Sequence, residues 1–146
     1  MKIRLLTLIC VTSLLLSMPA GASLKSEAAT LFAHYYNVYM EDAMNKGIND
    51  QNSPIPSIET RGINLQVAAI TRFDNKIQTI KFPKSDKTAL KKVLHDDQIL
   101  VALDQTLALN TASDSNYNSL APGVVTATAN STVAINSLAK MLGLKR

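Results

Sequence analysis

The sequence predicts an all-α protein: an antiparallel four-helix bundle that follows an N-terminal signal peptide. Three observations carry this reading. Turn-forming residues gather at Gly47 to Pro56, at Phe82 to Ser85 and at Asn110 to Gly123, and they cut the chain beyond residue 22 into four segments. Within each segment apolar residues recur at steps of three and four, the helical period. Connections that are short relative to the segments place successive helices side by side and antiparallel.

The leader comes first. Residues 1–22 read MKIRLLTLICVTSLLLSMPAGA. Lys2 and Arg4 form a basic start, Leu5 to Leu16 an apolar run, and Ala20-Gly21-Ala22 a small-residue end behind Pro19. This is the pattern of a secretory signal, with cleavage expected after Ala22 and a periplasmic or secreted destination. The apolar run falls well short of the roughly 20 residues that a membrane-crossing helix needs, so no membrane span is expected once the leader is removed. Cys10 lies inside the run behind Leu8 and Ile9, where a lipoprotein signal would need small residues, so lipidation is not expected.

The single helical domain expected over residues 23–146 differs from the whole chain. The full sequence carries 15 basic and 11 acidic residues, formally +4. Lys2 and Arg4 leave with the leader, which brings the charge to +2 and removes the main support for a nucleic-acid partner. Cys10 is the only cysteine, so no disulfide is available. With 47% apolar and 18% charged residues, the chain is too apolar for a disordered protein and too polar for a polytopic membrane protein.

Segment one is expected from Leu24 to Lys46, with Ala28, Leu31, Phe32, Tyr35 and Tyr39 on its apolar arc and Gly47 as its stop. Tyr36, at the edge of that arc, is the aromatic expected to be exposed and available to a partner. Segment two runs from Ile63 to Phe82. Its apolar residues Ile63, Val67, Ile70, Phe73, Ile77 and Ile80 follow helical steps better than the alternation of a hairpin turning at Asp74-Asn75. Segment three runs from Asp86 to Leu109, separated from the second by Pro83 and capped by Ser85 or Asp86. Segment four runs from Pro122, suited to a first helical turn, to Leu142, where Gly143 stops it.

Projection at about 100° per residue places four carboxylates on apolar arcs: Asp42 on segment one, Asp74 on segment two, Asp97 and Asp104 on segment three. Buried charge is expensive, so these groups need partners or a place at the rim. Together with Tyr36 they are the candidate binding residues. A metal site is not expected, because the Glu-x-x-His pairs of di-iron bundles are missing and His34 and His95 fall on polar sides. No cofactor is expected: no P-loop, dinucleotide motif or haem-attachment motif occurs. No nucleophile elbow occurs either, no catalytic residue can be nominated, and the chain leans away from being an enzyme. Asp114-x-Asn116-x-Asn118 opens like a Ca²⁺ loop but has Ser119 and Val125 where Gly and Glu are required. Lys81, Lys84, Lys87, Lys91 and Lys92 cluster around Pro83 and read as a solvated face rather than a docking surface.

The expected function is an exported protein-binding module, with another protein as partner. Its sharper form is an inhibitor or immunity-type protein acting on a toxin or cell-wall enzyme. Export, the helical form, the lack of catalytic motifs and the polar stretches 48–62 and 110–122, read as loops able to enter a cleft, motivate it. The alternative is a helical bundle that binds a small ligand or metal through its inward carboxylates.

Overall fold

The computed structural model describes residues 23–145, and for residues 42–44 the backbone only. The expected signal peptide, with Cys10 and the cleavage point, lies outside the described residues. The fold is all-α: helices packed on one another, as in a four-helix bundle. The first rod consists of α1 (Leu24–Tyr35), a π-helical stretch (Tyr36–Glu41) and α2 (Asp42–Gln51). Three further helices follow: α3 (Pro56–Ile77), α4 (Lys87–Ala108) behind a 3₁₀ turn (Lys84–Asp86), and α5 (Asp114–Met141).

Neighbouring rods run antiparallel. Asp50 meets Arg61 and Gln51 meets Gln66 across α2 and α3, Gln66 meets Asp104 across α3 and α4, and Asp97 meets Ser131 across α4 and α5. Along α3 and α4, Thr60 meets the Ala108 carbonyl, Gln66 meets Asp104 and Asp74 meets Asp97, so one number rises as the other falls. Segment two is thus a helix, not a hairpin.

Helix ends depart from the sequence reading at three places. Gly47 does not stop the first rod, which continues to Gln51. Gly47 and Gly62 instead let α2 and α3 approach closely: a Cβ on Gly62 would lie 2.5 Å from the Gln51 amide nitrogen, and one on Gly47 would lie 3.1 Å from the Gly62 carbonyl oxygen. Second, α3 begins seven residues before Ile63, with Pro56 in its first turn, where a missing N–H costs nothing. Third, α5 begins at Asp114, capped by Ser113, whose hydroxyl accepts from the Asn116 amide. Pro122 therefore sits inside the helix, on its exposed side. The stretches 48–62 and 110–122 are consequently mostly helix, and the long loops expected to enter a partner's cleft are not present. Asp86 does stand at the start of α4, but its side chain caps no backbone amide and accepts the Ser85 hydroxyl instead.

The apolar core draws on the first rod, α3, α4 and α5, with Val93, Leu100 and Leu107 from α4 and Val124, Ile135 and Leu138 from α5 joining the residues between the first rod and α3. Ala28, Ala29, Phe32, Ala33, Tyr36 and Met40 form one buried stripe. Phe32 and Tyr36 both set their rings edge-on to Phe73, with centroids 5.6 and 5.9 Å away. This corrects the expectation for Tyr36, which is 1% exposed, while Tyr35 and Tyr39 lie half-buried at the core's margin. The small alanines set the contact line, and Tyr36 continues it. The wider turn of the π-helix then breaks the regular helical phase, so a projection at constant pitch does not carry through to residue 42. The side chain of Asp42 lies outside what is described.

Candidate functional site

The opposite side of α3 presents a different interior. Glu59, Gln66 and Asp74 leave α3 toward α4 and α5, and all three are buried. They meet Asp97 and Asp104 of α4, exposed by 0 and 2%, and Tyr117 and Ser131 of α5. Asp74, Asp97 and Asp104 therefore do turn into the bundle. Among the described residues every Lys, Arg and His is exposed or outside this interior, so hydrogen bonds rather than buried cations must stabilise the carboxyl groups.

The polar groups form a chain along the bundle axis. At the α2–α3 end, the Tyr117 hydroxyl bonds Glu59, while the Thr60 and Thr111 hydroxyls lie 2.7 Å apart beside the Ala108 carbonyl. Next, Gln51 Nε2 donates to Gln66 Oε1 at 2.6 Å, and Gln66 Nε2 donates to Asp104 Oδ2 at 2.9 Å. Nearer the middle, the Ser131 hydroxyl donates to Asp97 Oδ1, and Asp97 bonds Asp74.

Burial sets the protonation of this chain. It pushes the Asp74 carboxyl up to about 9, helped by the adjacent charge of Asp97 and by the bond between the two side chains. Burial also raises Asp97, while the bonds from Ser131 and Asp74 oppose the rise and the charge of Asp96 adds to it. Asp104 is raised by burial to about 7 against the Gln66 bond. The Tyr117 phenol is raised by burial and by Glu59. At neutral pH Asp74 is accordingly a neutral acid that donates to Asp97. No N–H or O–H of a neighbouring residue reaches Asp74 Oδ1 or Asp97 Oδ2. A proton shared by the two carboxyl groups relieves the repulsion between them, as in other carboxyl pairs.

Asp74 also lines a surface cleft of about 350 Å³ between α3 and α4. From α3 and its C-cap come Thr71, Asp74, Asn75 and Gln78, and from α4 Leu94, Gln98, Val101 and Gln105. Those spacings put each set on one helix face. The apolar floor of Leu94 and Val101 is thus flanked by amides and by one neutral carboxyl. Such a lining can accept and donate hydrogen bonds, and Asp74 can give a proton to a basic acceptor. Gln78 already donates from Nε2 to the Asp74 carbonyl. Among the described residues no group of three or more His, Cys, Asp or Glu is placed to hold a metal ion. His34 and His95 are exposed on α1 and α4.

The sequence reading names three of the buried acids and misses Glu59, Gln66 and Tyr117. Glu59 and Tyr117 fall in stretches taken for loops, and an amide such as Gln66 gives no periodic signal of burial. Ser131 falls on the apolar face of segment four, which is the available clue to its inward position. Comparison with protein-family models, with curated proteins and with solved structures finds no match. No helix among the described residues is long and apolar enough to cross a membrane.

Proposed function

We propose that this chain is an exported helical bundle that binds a small polar organic ligand in the cleft between α3 and α4. The observation that carries the reading is the position of Asp74, nine-tenths buried, bonded to Asp97 and lining that cleft. A neutral acid backed by a second carboxyl offers a hydrogen-bond donor at neutral pH, or a carboxylate once a basic ligand takes its proton. The rim of Asn75, Gln98 and Gln105 supplies further polar contacts without fixed charge. Export rests on Lys2, Arg4, the apolar run and Ala20-Gly21-Ala22, and N-terminal sequencing of protein recovered from the host's envelope tests it.

A thermal-shift screen against amines, amides, sugars and amino acids tests the binding. A ligand present at about 100 times its Kd adds roughly 2.7 kcal/mol, which reads as several degrees in Tm. The shift should vanish in Gln98→Ala and weaken in Asp74→Asn. If no compound moves Tm, or if these substitutions leave the shift intact, the reading fails.

A second reading, an exported module that binds another protein such as a toxin or cell-wall enzyme, has one feature in its favour. From Ser115 to Ala139, α5 carries no charged residue, and Val125 and Val133 stand on its outer face 48 and 59% exposed. Uncharged, half-apolar helix surface suits a protein interface. Val133→Glu would abolish stoichiometric co-purification of a partner under this reading and leave ligand binding untouched under the first.

A further inference from the structure

The lysines are distributed very unevenly between the two ends of the bundle. Lys76, Lys81, Lys84 and Lys87 surround the α3–α4 connection, and Lys91 and Lys92 follow on the first turns of α4. The antiparallel packing brings two other elements to the same end. The start of α1 carries Lys25, and the end of α5 carries Lys140 with Lys145 just beyond it. Nine of the twelve lysine and arginine residues described therefore meet at one end, and all nine are exposed. The acids of that end do little to neutralise them. Among the described residues of that end, Asp86 and Asp96 are buried, only Lys92 forms an ion pair, with Asp96 at 2.8 Å, and Glu27 is the exposed carboxylate. Glu41, Asp50, Glu59 and Asp114 belong to the opposite half. The small net charge of the chain conceals this separation.

We propose that the basic end of the bundle docks on an anionic phospholipid surface. The lysines come from α1, α3, α4 and α5 and ring the end of the bundle, an arrangement that suits a broad charged plane rather than a groove following a strand. Their ammonium groups act as point charges and need no fixed bidentate geometry. Phe82, the aromatic side chain at this end, is 5% exposed, so no stacking platform for nucleic-acid bases is presented. The chain also enters the bundle here. Ser23 caps α1 at the basic end, and the 22 residues before it include the apolar run Leu5 to Leu16. A lysine cluster of this size is enough for binding to anionic lipid, each lysine near the surface adding to the attraction.

Vesicle co-sedimentation tests this, using the protein as isolated from its host. The vesicles are phosphatidylcholine alone or an equimolar mixture with phosphatidylglycerol. The expected result is at least about tenfold stronger partition into the anionic vesicles at low salt, lost as the salt approaches molar concentration, where screening is nearly complete. Lys84→Glu, Lys87→Glu and Lys140→Glu combined should remove about tenfold or more of that binding. The same three positions changed to Gln should remove less. Lys46→Glu with Arg61→Glu, at the opposite end of the bundle, should have little effect, and circular dichroism checks that each variant is folded. Equal partition into both vesicles, equal loss in the control variant, or no vesicle binding would each overturn the proposal. Binding to duplex DNA at the same salt without vesicle binding would replace it with a nucleic-acid surface.

Discussion

The two faces of α3 solve the problem of burial in opposite ways. Toward the first rod, α3 presents Ile70, Phe73 and Ile77 to alanines, Phe32, Tyr36 and Met40, and the contact is held by apolar area and edge-on rings. Toward α4 and α5 it presents Glu59, Gln66 and Asp74, and the contact depends on every acid finding a donor or keeping a proton. The first contact is indifferent to pH and tolerant of small shifts in geometry. The second is neither. A bundle of this size has no need of four buried carboxyl groups for stability, since buried polar groups at best offset their own desolvation. Their concentration on one side of α3, beside a surface cleft, is what singles out that side as the functional one.

The largest expected effect tests the apolar side. Phe73→Ala removes the ring that both Phe32 and Tyr36 touch and should cost about 3–5 kcal/mol in a denaturant melt, by the same amount at pH 5 and pH 8. A loss that varied with pH would mean that the two faces of α3 are coupled.

The polar side should show the reverse. Asp74 and Asp104 hold protons in the folded state, up to about 9 and about 7, that the unfolded chain releases near pH 4. Their folded values are raised, so the stability they contribute is complete at low pH and is lost as pH rises through those values. Between pH 5 and pH 8 the protein should lose roughly 2–3 kcal/mol from Asp104 alone. Asp104→Asn, which copies the neutral acid and can still accept from Gln66, should flatten the slope and raise Tm at pH 8. Asp74→Asn should flatten it further toward pH 9. A wild-type stability that rises from pH 5 to pH 8 would contradict the protonated pair.

Two glycines refine the comparison at smaller scale. Helix propensity alone favours Ala over Gly by about 1 kcal/mol in a helix interior. At Gly62 packing should reverse that sign, because a Cβ there would meet the α2 backbone, and Gly62→Ala should cost about 1–3 kcal/mol. At Gly123 a Cβ would touch only the Leu103 methyl groups at 3.9 Å, so Gly123→Ala should stabilise by about 0.5–1 kcal/mol. Equal and favourable effects at both sites would show that α2 and α3 can move apart freely.

Much of the architecture is legible in the sequence because apolar steps of three and four survive whatever the neighbours are. The steps from Ile63 to Ile77 make α3 a helix, and Leu90, Val93, Leu100 and Leu107 do the same for α4. The same periodicity turns Asp74, Asp97 and Asp104 inward, since residues between two core positions must follow them. The ends of the helices are less legible. Polar stretches such as 56–62 and 114–121 look like loops residue by residue, and they become helix because Pro56 and Ser113 start them and Glu59 and Tyr117 find partners inside the bundle.

By itself the sequence determined the helical class, the inward phase of the three aspartates, the absence of any cysteine beyond Cys10 and the basic cluster around Pro83. These are properties of single helices and of composition, which neighbours do not alter. Tertiary structure alone decided which acids pair, that Tyr36 rather than Tyr35 joins the core, that Gly47 and Gly62 serve an approach rather than a stop, and that Lys25 and Lys140 join the lysines of the α3–α4 turn. Each of those depends on residues far apart in the chain becoming neighbours, and proton affinity, burial and surface charge are all properties of the neighbours.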